Sequence, residues 1–262
     1  GARIAAALPT RYRAIVRAGD VLHVMKIEAQ ETETTARKIP RYGLTFGAGA
    51  AATAARRDAT LSNVCASHVK DLLTAAAIRP VAEANRMNVA DVTKIAVIGA
   101  GTMGQGIAQV CASAGYDTWV NDVDADIIGK AFDRIKANLA TLVEHGVVTL
   151  KDAEAVPLRM KATLSLEDAA GNADFVIEAA PEAMEVKKRL FQELDRICPE
   201  RAILASNTSS LSITELASAT ERPERVVGMH WWNPPTLIPL VEVFRGTGTS
   251  DETVEVTRGL VL

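Results

Sequence analysis

The sequence is sparing with cysteine, aromatics and long apolar runs. Its three cysteines, Cys65, Cys111 and Cys198, stand singly with no C-x-x-C spacing. That pattern excludes a disulfide framework and a cysteine-based zinc site, and it fits a reducing compartment. A cytoplasmic protein is therefore expected. No apolar run reaches the roughly eighteen residues that a membrane span needs, and no charged segment followed by an apolar stretch marks a secretory leader. Aromatic residues make up 4% of the chain. The aromatic interleaving of a single-strand nucleic-acid binder is missing, and neither a nucleic acid nor a membrane is expected as a partner.

What is present is ordinary globular material: 262 residues, 48% hydrophobic and 23% charged, enough for one or two domains. The formal charge of -3 conceals an asymmetry. Residues 1–90 carry 13 Lys and Arg against 7 Asp and Glu, whereas the remainder carries 16 against 25. Two differently built segments are implied, an Ala- and Arg-rich stretch over 1–92 and a second one over 93–262. The first is unassigned. Residues 47–55 approach low complexity, a strand is expected at 21–27 and a helix at 65–77, and no chemical constellation appears there. The chain begins with Gly and stops inside a helical run that opens at Ser250 and Asp251, so it reads as a fragment at both ends.

From Thr93 onward, short apolar runs alternate with amphipathic ones, the mark of a parallel sheet covered by helices on both faces. Strands are predicted at 95–98, 117–121, 162–166, 174–177, 202–205, 226–230 and 240–244, with helices at 103–114, 126–144 and 183–197. An α/β doubly wound fold of the Rossmann type follows. Gly99, Gly101 and Gly104 form G-x-G-x-x-G directly after the first of these strands and at the start of a helix, with Thr102 and Met103 between the last two glycines as further cofactor-binding candidates. In such a loop the first glycine permits a tight turn, the second lets backbone approach a pyrophosphate, and the third allows close helix–strand packing. Unpaired N–H groups at the helix start favour the diphosphate. About 20 residues further on, Asp122 ends the next strand, where a carboxylate can bind ribose hydroxyls. The same carboxylate would repel a ribose phosphate, so NAD is expected over NADP.

Four blocks, KIAVIGAGTMGQGIAQV, ADFVIEAAPE, ASNTSSLSI and GMHWWNPPTLIPLVEV, occur in this order between Lys94 and Leu262. Together they resemble the NAD-binding domain of 3-hydroxyacyl-CoA dehydrogenases. The resemblance implies oxidation of a 3-hydroxyacyl-CoA to its 3-oxo form, with His230 as general base and Glu242 as its partner. It also places Asn233 in the catalytic block, Asn207 and Ser209 beside nicotinamide and substrate, and Ala179, Glu182 and Lys187 against the nicotinamide half. The chemistry suits these residue types, since imidazole can cycle a proton near neutral pH and a carboxylate on its other nitrogen holds the tautomer.

Simpler readings of the same residues stay open. Thr208, Ser209 or Ser210 could be the N-cap of a helix over 212–217, Lys187 could be a solvated helix residue, and Glu242 could be the solvent-facing member of an alternating strand. Trp231 and Trp232, which follow the histidine, could line the cleft or pack against a further domain, and core packing is the reading favoured. Lys136, Asn138 and His145 are the candidates for contacts to CoA, against the plainer reading of a solvated helix face. By resemblance, an all-helical domain carrying the rest of the acyl cleft and a homodimer interface would follow Leu262, so this chain by itself is expected to be a poor catalyst. The NPPTLIPLVEV block also resembles a branch that oxidises small 3-hydroxy acids without CoA, of carnitine or gulonate type. A non-catalytic NAD-binding protein is a further alternative, which the presence of both His230 and Glu242 opposes.

Overall fold

The computed structural model describes residues 14–18, 21–25 and 87–261. All of them belong to one of the two units into which the chain divides, Gly1–Ala29 together with Met87–Leu262. The helix expected at 65–77 lies outside the described residues.

The sheet is built around β3 (Lys94–Ile98), whose last four residues are buried. Such a run is what a strand covered on both faces requires. Ile95 and Val97 join one core layer, with Ile107 and Cys111 of helix α1 (Thr102–Ser113). Ala96 and Ile98 join the opposite layer, with Phe191 and Leu194 of α5 (Met184–Ile197). The first layer also takes in α2 (Ala125–Glu144), which buries Ala131, Ile135 and Leu139 at four-residue spacing, and α3 (Leu150–Leu158). The second takes in α4 (Leu166–Ala170) and α6 (Ile213–Ala217), while α7 (Asp251–Val261) packs Val256 and Leu260 into the first.

Beside β3 lie β4 (Asp117–Asn121) and β5 (Met160–Thr163) on one side, and β6 (Phe175–Glu178), β7 (Ile203–Ser206) and β8 (Val226–Trp231) on the other, all parallel. The chain therefore reverses its direction of winding between β3 and β6, and the crevice beyond their carboxyl ends is where ligands of such sheets bind. β9 (Leu240–Arg245) adds antiparallel to β8, and the hairpin β1 (Ala14–Ala18) and β2 (Val21–Met25) continues the sheet antiparallel beyond β9. The doubly wound sheet expected from residue 93 onward is present, and its backbone pairing extends into the segment left unassigned.

Three local expectations are corrected. The strand foreseen at 162–166 ends at Thr163, because Ser165 accepts the Asp168 N–H at 3.1 Å and starts α4 at Leu166. The N-cap of α6 is Ser212, which accepts from the Glu215 N–H at 3.2 Å, and not Thr208, Ser209 or Ser210. Helices α3 and α4 were not foreseen. Each is short and each starts on a side-chain cap, Thr149 for α3.

Candidate active site

The glycine loop turns at Gly99, whose backbone φ of +99° favours glycine. A Cβ at Gly104 would stand 1.7 Å from the Gly99 carbonyl oxygen, so helix α1 can approach the end of β3 only without a side chain there. Gly101 differs. A Cβ on it meets nothing within 4 Å, so backbone at this point faces open space. It is also the N-cap of α1 and supplies no side-chain acceptor, whereas α2, α3, α4 and α6 begin on Asp124, Thr149, Ser165 and Ser212. The first-turn N–H groups around Thr102 and Met103 thus remain for a ligand. Asp122, one residue past β4, accepts the Ala100 N–H at 2.7 Å and the Asp124 N–H at 3.3 Å. Its carboxylate is pinned against the loop. An open cradle beneath a bare helix start, flanked by a carboxylate, fits a dinucleotide.

At the end of β8, His230 is directly opposite Glu242 of β9 in the antiparallel register. Side chains so paired stand on one face a few ångströms apart. His230 Nδ1 lies 2.7 Å from Glu242 Oε2, with both side chains about four-fifths buried. Val241 and Val243 point into the core, which leaves Glu242 on the other face with the histidine and not in solvent. With Nδ1 donating to the carboxylate, Nε2 is the basic nitrogen, and it lies 3.2 Å from Ser209 Oγ. Ser209 arrives there because Ser206 of β7 pairs with Gly228 of β8, so the residues after each reach the same end of the sheet. Asn207 locks the crossing, as its Oδ1 accepts the Trp231 N–H at 2.8 Å.

A serine, a histidine and a carboxylate in line also describe a hydrolase triad. The surroundings speak against a nucleophilic serine. The Ser209 N–H donates to Glu182, and the Ser210 and Leu211 N–H groups donate to Thr208 Oγ1, so the backbone donors that an oxyanion hole would need are engaged. The Ser209 hydroxyl is left to face the histidine.

Beneath Ser209 lies a charged cluster. Lys187 is 1% exposed, and its Nζ contacts Glu178 Oε1 at 2.5 Å, the Ala180 carbonyl at 3.2 Å and Glu182 Oε2 at 3.3 Å. Lys187 is thus buried and not a solvated helix residue. Burial raises the Glu182 carboxyl, but hydrogen bonds from Thr208 and the Ser209 N–H, with the Lys187 charge, outweigh it and hold Glu182 below the usual carboxylate range. Ala179 stands where β6 ends, its carbonyl oxygen 2.6 Å from where a Gly99 Cβ would be. Glu178 was not singled out from the sequence. Its signal was a lone carboxylate closing the apolar run of β6.

Other expected residues are not gathered here. Asn233 is exposed and has no side-chain hydrogen bond to His230 among the described residues. Of the two tryptophans, Trp231 packs in the core as foreseen, whereas Trp232 is 43% exposed with its ring 6.3 Å from that of His230. Among the CoA candidates, Asn138 donates to Gln109 and His145 contacts the Thr141 carbonyl. Lys136 lines an apolar groove of about 750 Å³ between α2 and α3, which shares no residue with the glycine loop or with His230. The two halves of the site touch elsewhere, since Pro235, beyond His230, packs 3.1 Å from where a Gly106 Cβ would be on α1.

The family described as "3-hydroxyacyl-CoA dehydrogenase, NAD binding domain" matches residues 94–262. The chain is 47% identical over 163 residues to a probable 3-hydroxybutyryl-CoA dehydrogenase of Bacillus subtilis, covering 62% of this chain and 56% of that protein. It is 46% identical over 170 residues to a 3-hydroxybutyryl-CoA dehydrogenase of Bradyrhizobium diazoefficiens, covering 65% and 58%. Among solved structures, a 3-hydroxybutyryl-CoA dehydrogenase from Escherichia coli aligns with a TM-score of 0.64 at 43% identity, over 65% of this chain and 36% of that one. The matched segment thus spans little more than half of the two curated relatives.

Proposed function

This chain belongs to the 3-hydroxyacyl-CoA dehydrogenase family through that family's NAD-binding domain, and from that premise we propose that the protein oxidises an L-3-hydroxyacyl-CoA to the 3-oxoacyl-CoA, as in fatty-acid β-oxidation. The observation that carries the proposal is the alignment of Glu242, His230 and Ser209 at the carboxyl end of the sheet. NAD, when bound, supplies the acceptor for the hydride that leaves the alcohol carbon.

The residues of the chain do the remaining work. His230 Nε2 takes the hydroxyl proton, and the Glu242 carboxylate on Nδ1 steadies the imidazolium that results. Ser209 Oγ, 3.2 Å from Nε2, holds the reacting oxygen beside the base. Asp122 takes the ribose hydroxyls, the backbone of Gly99, Gly101, Thr102, Met103 and Gly104 takes the diphosphate, and Ala179, Glu182, Lys187 and Asn207 form the nicotinamide side. Asn233 is assigned to the substrate side of His230. The reading includes a cytoplasmic location, in keeping with Cys111 and Cys198 as free buried thiols, and a homodimer through the helical domain expected after Leu262, which sedimentation of the natural protein would test as twice its subunit mass.

The substrate class is tested by following NADH consumption by the natural protein with acetoacetyl-CoA and with acetoacetate. Turnover of the thioester is expected. Turnover of the free acid alone would transfer the assignment to the branch without CoA.

A further inference from the structure

Glu178 is 0% exposed, and both of its oxygens are engaged. Oε1 accepts the Ala180 N–H at 2.7 Å and lies 2.5 Å from Lys187 Nζ, while Oε2 accepts the Ser206 hydroxyl at 2.5 Å. Its own carbonyl accepts the Asn207 N–H at 2.8 Å. One carboxylate therefore joins the end of β6, the end of β7 and helix α5. Burying a charge pair this deeply is costly and gives weak support for stability alone, so its placement next to the catalytic loop needs another account.

From Glu178 the contacts run in one direction. Lys187, held by Glu178 and the Ala180 carbonyl, reaches Glu182 at 3.3 Å. Glu182 in turn accepts from Thr208 Oγ1 and from the Ser209 N–H at 2.9 Å. Ser209 Oγ then meets His230 Nε2. The ammonium of Lys187 is enclosed by these groups and stands behind Glu182.

We propose that Glu178 is a positioning residue for the catalytic serine: through Lys187 and Glu182 it fixes the backbone of Ser209 so that the hydroxyl stays against His230 Nε2. The proposal rests on the reading of His230 and Ser209 as the reacting pair. Removing the Glu178 charge leaves Lys187 buried without its main counter-charge, which frees the ammonium to compete for Glu182 and releases the Ser209 N–H. The aspartate variant keeps the charge one methylene short and should recover part of the geometry.

The test uses this chain with three variants, Glu178→Gln, Glu178→Asp and the pair Glu178→Gln with Lys187→Met, the last removing both charges in case the first fails to fold. Three readings are taken: thermal melting, NAD affinity by titration, and the ring-nitrogen NMR shifts of His230. A folded Glu178→Gln is expected to weaken NAD binding about tenfold or more and to move the Nε2 resonance of His230, with Glu178→Asp intermediate. In the double variant, which also removes a residue of the nicotinamide side, the His230 resonance alone is the reading and is expected to move. A folded variant that lowers only the melting temperature, with the His230 resonances and NAD affinity unchanged, would make Glu178 a structural residue and overturn the proposal. Failure of the dehydrogenase reading would show separately, as natural protein that turns over neither 3-oxo substrate while the His230 shifts still respond to Glu178.

Discussion

A methyl group added at Gly101 meets nothing within 4 Å, whereas at Gly104 it falls 1.7 Å from the carbonyl oxygen of Gly99. The two glycines of one motif should therefore fail differently. Gly101→Ala has a φ of -64°, which alanine adopts freely, so its melting temperature should stay close to that of the parent while NAD affinity falls at least tenfold. Gly104→Ala should lose several kcal/mol of stability, on the order of the cost of overpacking a tight contact. Equal NAD affinity in parent and Gly101→Ala would remove the diphosphate from that loop. Asp122→Ala is expected to weaken NAD binding and leave turnover at saturating NAD near normal, a contrast that steady-state kinetics can read. At this scale the sequence was informative where a residue type has few alternative uses. The glycines, Asp122, His230 and Glu242 stood out by type and spacing. Glu178 and the burial of Lys187 did not, because the partners that satisfy these charges come from the end of β6, from α5 and from the end of β7, and no local pattern marks that meeting.

The carbonyls at and just past the end of helix α5 are capped by a side chain from the connection between α6 and β8. Arg222 donates to Asp195 through Nε and also to the carbonyls of Asp195, Pro199 and Cys198, with both side chains of the Arg222 and Asp195 pair nearly buried. Arg222→Ala should cost about 2–4 kcal/mol, since it leaves Asp195 and the helix carbonyls without their donor. Urea unfolding would measure it, and a loss below about 0.5 kcal/mol would mean that water replaces the guanidinium. Elements with an uninterrupted period are legible in the sequence. β4 has the predicted limits, and α2 begins one residue early. The short α3 and α4 were missed because each spans barely more than a turn or two, and their cap residues, Thr149 and Ser165, are indistinguishable in type from loop residues. The pairing of His230 with Glu242 depended on the register across an eight-residue connection, which no periodicity specifies.

Across the whole molecule, the winding order β5-β4-β3-β6-β7-β8 follows from the alternation of strands and helices, while the antiparallel extension through β9, β2 and β1 does not. β1 and β2 lie in a stretch whose composition differs from the rest, and the segment 26–86 separates them from the domain they join. The same fold buries Cys111 and Cys198, and that burial pushes both thiols up to about 12 from an ordinary value of 9.0. A thiol whose pKa is raised keeps its proton in the folded chain where the unfolded chain has lost it. Stability should therefore fall as pH rises from about 9 toward 12, by up to roughly 1.4 kcal/mol per pH unit for each thiol. Urea melts of the parent and of a Cys111→Ala, Cys198→Ala pair over this range would compare the slopes, with the steeper loss expected in the parent.

The central claim is that His230 moves the proton in a dehydrogenase whose cofactor is held elsewhere, on the glycine loop. Its most direct test is the rate of acetoacetyl-CoA reduction by the natural protein carrying His230→Gln, at saturating NADH and with NADH affinity measured in parallel. A fall on the order of a hundredfold or more, with NADH affinity within about twofold of the parent, is predicted for loss of a general acid and base. A variant that keeps its rate would contradict the account.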